Sequence, residues 1–130
     1  MNKTNYGYSK KSGASFDNTI KKVKEELQKE GFGILTEIDV KATFKNKLNV
    51  DFENYIILGA CNPPNAYKSL QAEIQIGLML PCNVIVYQKD NAVFASAVLP
   101  TVAMGMIEND SLKEVAMNIE SKLKKVIDKL

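Results

Sequence analysis

Apolar residues recur at spacings of four, three and four through Phe16, Ile20, Val23 and Leu27, which places them on one face of a helix. Ser15 stands in the N-cap position of that helix and Gly31 in the position of a left-handed C-terminal cap. A longer stripe of Leu112, Val115, Ala116, Ile119, Leu123, Val126, Ile127 and Leu130 predicts a second helix, with Ser111 and Glu114 spaced as a capping box. Between the two stripes the period falls to two. The segment "GILTEIDV" puts Ile34, Thr36, Ile38 and Val40 on one strand face and Leu35, Glu37, Asp39 and Lys41 on the other. "YGYSK" predicts a short first strand with Tyr6 and Tyr8 on one face, and "NYIILGAC" is apolar enough to be a strand covered on both. "NVIVYQKDNAVFASAVL" reads as a hairpin turning at Lys89, Asp90 and Asn91.

Shorter helices are predicted at two places. "KATFKNKLNV" would carry Ala42, Phe44 and Leu48 inward. After "NYIILGAC", Asn62 can cap a helix with Pro63 at its first position, where a missing N–H costs nothing. "PTVAMGMIEN" is a methionine-rich connection. The order is strand, helix, strand, short helix, strand, helix, hairpin, helix. It implies an α+β fold: a five-stranded, mainly antiparallel sheet with its two long helices on one face. The other face then needs cover or meets water, and a homodimer is one way to cover it. One domain over residues 1–130 accommodates all of these elements.

Composition narrows the function classes. The net charge of +2 gives no electrostatic pull toward a polyanion, and all 17 basic residues are lysine. Without arginine there is no bidentate fork for guanine or phosphate, so a nucleic-acid partner is not expected. The absence of histidine removes the commonest general base, the commonest metal ligand and every Ser–His or Cys–His dyad within the chain. The N-terminus is polar, and the apolar region Ile74 to Val86 is broken by Gln75, Gly77, Pro81 and Asn83, so neither a signal peptide nor a membrane span is expected. A cytoplasmic location follows, in which Cys61 and Cys82 stay reduced and unbridged.

Three sets of residues carry candidate chemistry. Glu37, Asp39 and Lys41 alternate along one strand face, either as a carboxylate pair beside an ammonium or as a solvated face whose charges offset one another. Cys61 and Cys82 each stand at the end of a predicted central strand, either as soft ligands or nucleophiles or as small apolar core residues. Cys61 also precedes the Asn62 cap, which favours its thiolate over that of Cys82. Met79, Met104, Met106 and Met117 either line a pocket or fill gaps in the core. The lysines at 21, 22, 24, 122, 124 and 125 belong on solvated helix faces.

The strings "EGFGILTEIDVKATFKNKL", "DFENYIILGACNPPNAYKSLQAE" and "GLMLPCNVIVY" resemble the bacterial and archaeal family called domain of unknown function 302, from about Asn5 to Leu130. The linked pattern E-x-D-x-K, LGxCNP, LPCNV carries the resemblance. It implies a strand–helix–four strands–helix domain similar in architecture to the TATA-binding protein, usually homodimeric. The family's recurring positions fall on Glu37, Asp39, Lys41, Cys61, Asn62, Pro63, Pro81, Cys82 and Asn83, which points to one shared site. Neither the residues nor the resemblance names a cofactor. Three classes stand: a homodimeric binding domain for a small molecule or soft metal, a thiol-dependent enzyme or redox sensor using Cys61 or Cys82, and an interaction module with inert thiols.

Overall fold

The computed structural model describes residues 4–130. Its elements run β1 (Gly7–Ser12), α1 (Phe16–Lys29), β2 (Gly33–Asp39), α2 (Val40–Leu48), β3 (Tyr55–Cys61) and α3 (Pro63–Ala72). A 3-10 helix over Ile74–Met79 follows, then β4 (Cys82–Lys89), β5 (Ala92–Val98), a short α4 (Pro100–Ala103) and α5 (Asp110–Asp128). All four strand pairings are antiparallel, in the order β1-β5-β4-β3-β2. The sheet is therefore a meander from β2 to β5, with β1 returned to its far edge.

The register assigns each strand residue to a face. Leu58 and Ala60 of β3, Val84 and Val86 of β4, and Val93, Ala95 and Ala97 of β5 stand on the side that α1 and α5 cover. Val23 and Leu27 of α1 and Ile119, Leu123, Val126 and Ile127 of α5 pack against them, so both predicted stripes form the core. A second, smaller cluster joins Ile76, Met104, Leu112 and Ala116 beneath the 3-10 helix and α4. Of the four candidate methionines, Met104 is buried and Met79 packs against this cluster, whereas Met106 and Met117 are exposed. The core role holds only for the first two. Among the described residues no helix is long and apolar enough to cross a membrane.

Local signals in the chain set several boundaries. The Ser15 side chain accepts the Asn18 N–H at 3.1 Å, and Gly31 takes a φ of 84° after α1. The β4–β5 hairpin turns on Asp90 and Asn91 alone, both left-handed at φ 52° and 64°, the two-residue turn that suits strand twist, and Lys89 belongs to β4, opposite Ala92. Gly59 is required for a different reason. A Cβ there would collide with Thr36 Oγ1 and approach Pro81 Cγ to 2.8 Å, so only glycine lets these two neighbours close over β3.

Other expectations need correction. The first strand begins at Gly7, so Tyr6 lies outside it and is exposed, while Tyr8 belongs to the helix-covered face. The cap of α5 is Asn109, whose side chain accepts the Leu112 N–H at 3.1 Å; Ser111 sits inside the helix. Both residues are good caps, and the chain takes the earlier one because the Asn109 amide also donates to the Ala72 carbonyl at 2.8 Å. α2 buries no residue: Ala42 and Leu48 are exposed, and Phe44 is only partly covered, with Phe52 at 5.0 Å between ring centres.

Candidate functional site

Antiparallel pairing of β3 with β4 puts Ala60 opposite Cys82, so the end of one strand and the start of the next meet at one end of the sheet. Cys61 lies one residue beyond Ala60, opposite Gly33 of β2. Both cysteines line a single cavity of ≈ 250 Å³ there. Its walls come from four directions. Phe32 and Leu35 enter from β2 and the turn before it, Ala66 and Leu70 from α3, Leu80 and Pro81 from the segment before β4, and Ile119 from α5. The Leu80–Pro81 peptide is cis. Apart from the thiols and Asn62, the lining is apolar.

The two thiols differ. Cys82 is 5% exposed, belongs to the core and is not disulfide-bonded. Burial, and secondarily the nearness of Cys61, pushes its pKa up to about 11, so it stays protonated at neutral pH. Cys61 is half-buried and also free. Asn62 is buried and bonded through both ends of its amide. Its Oδ1 accepts the Asn65 N–H at 3.3 Å as the cap of α3, and its Nδ2 donates to the Glu30 carbonyl at 3.3 Å. Asn62 therefore ties the start of α3 to the end of α1 and fixes the rim of the cavity. Pro63, at the first helical position, is exposed and lies outside the lining.

The remaining candidates stand elsewhere. β2 runs antiparallel to β3, so Gly33 rather than Asp39 meets the cysteine end, and Asp39 lies opposite Ile56. At about 3.3 Å per residue, Glu37, level with Leu58, is roughly 10 Å and Asp39, level with Ile56, roughly 16 Å along β3 from Cys61. Glu37 pairs with Lys24 of α1 at 2.8 Å, and Asp39 caps α2 by accepting the Ala42 N–H at 2.9 Å. Lys41 is not on the strand at all but in the first turn of α2, exposed. A β-bulge between Ile34 and Thr36 also breaks the alternation, so Ile34 shares the helix-covered face with Glu37 and Asp39. The expected single constellation is thus two separate places. Asn83 divides from Cys82 by strand parity: it is exposed on the open sheet face, in a groove of ≈ 430 Å³ with Tyr6, Tyr55, Ile85, Tyr87 and Ser96. Among the described residues no three Cys, Asp or Glu side chains come close enough to hold a metal ion.

The family model "Domain of unknown function DUF302" matches residues 8–130. The chain belongs to the DUF302 family. A solved structure of an uncharacterised conserved DUF302 protein from Bacillus stearothermophilus is similar, at 32% identity and a TM-score of 0.90, over 96% of this chain and 98% of that one. Comparison with curated proteins yields no match. In this DUF302 domain the cavity walls Phe32, Leu35, Ala66, Leu70, Leu80 and Ile119 escaped sequence reasoning. Ala66 and Leu70 carry a faint signal, four apart on α3, but the same spacing describes any buried helix face. Phe32 and Ile119 sit within patterns that a core explains equally well.

Proposed function

We propose that this DUF302 domain binds a small, largely apolar molecule in the Cys61–Cys82 cavity and works as a homodimer. The observation that carries the reading is the shared cavity: two free thiols and, Asn62 aside, an apolar wall at one sheet end, fed by Leu35 and Leu70, which remain exposed at its edge. A cavity of about 150 Å³ lined by aliphatic side chains suffices for benzene, so ≈ 250 Å³ has room for a ring or a short alkyl chain. An apolar molecule suits the donor set better than a soft metal, which needs three or four ligands where two thiols stand. The protonated state of Cys82 counts against its use as a nucleophile.

Thermal unfolding with added octan-1-ol tests the pocket. A ligand at about a hundred times its Kd stabilises a folded protein by about 2.7 kcal/mol. The expected result is a concentration-dependent rise in Tm that disappears in Leu70→Trp, whose larger side chain fills the cavity. An unchanged Tm in the wild-type protein sinks the reading. Support for the dimer comes from the sheet face opposite α1 and α5, where Tyr55, Ile57, Ile85, Tyr87 and Phe94 lie side by side, and from a near-neutral charge that does not oppose self-association.

A further inference from the structure

From Pro63 to Ala66 the main-chain donors of α3 are occupied or missing. Pro63 and Pro64 carry no N–H, the Asn65 N–H donates to Asn62 Oδ1 at 3.3 Å, and the Ala66 N–H donates to the Asn62 carbonyl at 2.9 Å. The first turn of α3 thus offers no free amide to an oxyanion, and the chain has no histidine to serve as base. Acyl transfer with turnover lacks both supports. An electrophile that reacts with an unassisted thiol needs neither.

Building on the pocket reading, we propose that Cys61 captures α,β-unsaturated carbonyl compounds that carry a short apolar tail, with the tail seated in the ≈ 250 Å³ cavity. The Cys61 sulfur bonds to the β-carbon, the π pair of the C=C bond shifts toward the carbonyl, and the thiol proton ends on the α-carbon. No group leaves, and no external oxidant or reductant takes part. Cys82 supplies an independent mark of a ligand. It is an unbridged thiol 5% exposed, in the wall of the same cavity, and enters none of the side-chain hydrogen bonds of the described residues. A weak soft donor of this kind suits the π-system of an occupant. The half-buried Cys61 at the strand end is the thiol an incoming electrophile reaches. Phe32, Leu70 and Ile119 select for the tail by apolar contact.

The test uses the full chain with N-methylmaleimide and N-hexylmaleimide at pH 7, each rate at Cys61 divided by that of glutathione and read by peptide mass spectrometry. The expected result is a preference for the hexyl reagent of about tenfold, what burial of roughly two methylenes supplies. Saturating octan-1-ol is expected to abolish that preference, and Cys82 to stay unlabelled. Equal normalised rates for the two reagents, or a preference that octan-1-ol leaves intact, overturn the capture. Octan-1-ol raising the Tm of Cys61→Ser separates the two readings. Where Tm rises but the tail preference is absent, capture fails and the pocket stands; where both are absent, both fail.

Discussion

At the scale of single residues, the pKa of Cys82 makes stability depend on pH in a defined window. The thiol loses a proton to become an anion, and burial first, then Cys61, raises its pKa from 9.0 to about 11 in the folded chain. Below pH 9 the thiol is neutral in both states and no difference arises. Between about pH 9 and 11 the unfolded chain ionises first, so stability falls as pH rises through the folded value, by about 3 kcal/mol in total. Urea unfolding at pH 8 and pH 11 is expected to show that loss in the wild-type protein and a smaller one in Cys82→Ala. Tyr8, whose phenol is raised chiefly by its hydrogen bond to Asp128, and Tyr55, raised chiefly by burial, contribute equally to both proteins and cancel in the comparison. An identical loss in the two proteins refutes the assignment. Glu26 shows the opposite shift. The Lys29 hydrogen bond, aided by Lys22, outweighs burial and holds its carboxyl below the usual range, on the helix face next to Lys129.

At the scale of elements, caps decide where helices begin, and α5 offers a direct comparison. Asn109→Ala removes the acceptor of the Leu112 N–H and the donor to Ala72, and is expected to cost about 1–2 kcal/mol; Ser111→Ala is expected to stay within about 0.5 kcal/mol. Denaturant unfolding of the two variants settles the cap, and equal losses would return it to Ser111. The element-level reading from sequence succeeded where one signal had one meaning. The stripes of α1 and α5, the Gly31 cap, the Asn62-Pro63 start of α3 and the Asp90-Asn91 hairpin each follow from spacing or a backbone preference. It failed where a neighbour in space decides. Nothing local reveals the bulge between Ile34 and Thr36, because that irregularity exists only against β3. The separation of Asp39 and Lys41 from the cysteines has the same origin, since strand direction is a property of the pair. For the candidate site, the two cysteine motifs were visible and their common cavity was not, because its apolar walls look like core in any sequence pattern.

At the scale of the molecule, one sheet face carries two long helices and the other carries a ladder of rings. Tyr87 stacks on Tyr55 at 5.6 Å and on Phe94 at 5.3 Å, with interplanar angles of 22° and 23°. A charge placed at the centre of this ladder would be desolvated in a dimer and solvated in a monomer. Light scattering is expected to give twice the 14.4 kDa chain mass for the wild-type protein and 14.4 kDa for Tyr87→Glu, and a wild-type protein that stays at 14.4 kDa at micromolar concentration ends the dimer proposal. The strand order has a consequence in time as well as in space. β2, β3, β4 and β5 follow one another along the meander, but β1 joins β5 across most of the chain: Ser9 Oγ and Ser96 Oγ, 87 positions apart, meet at 2.7 Å. Closing so long a loop adds little to the equilibrium cost, which grows only with the logarithm of its length, yet it delays the contact until the loop's ends find each other. The meander can condense while β1 is still searching. The strand that is first in the chain is then the last to be stitched in, and Tyr8 fastens it by donating its phenol proton to Asp128, 120 residues away.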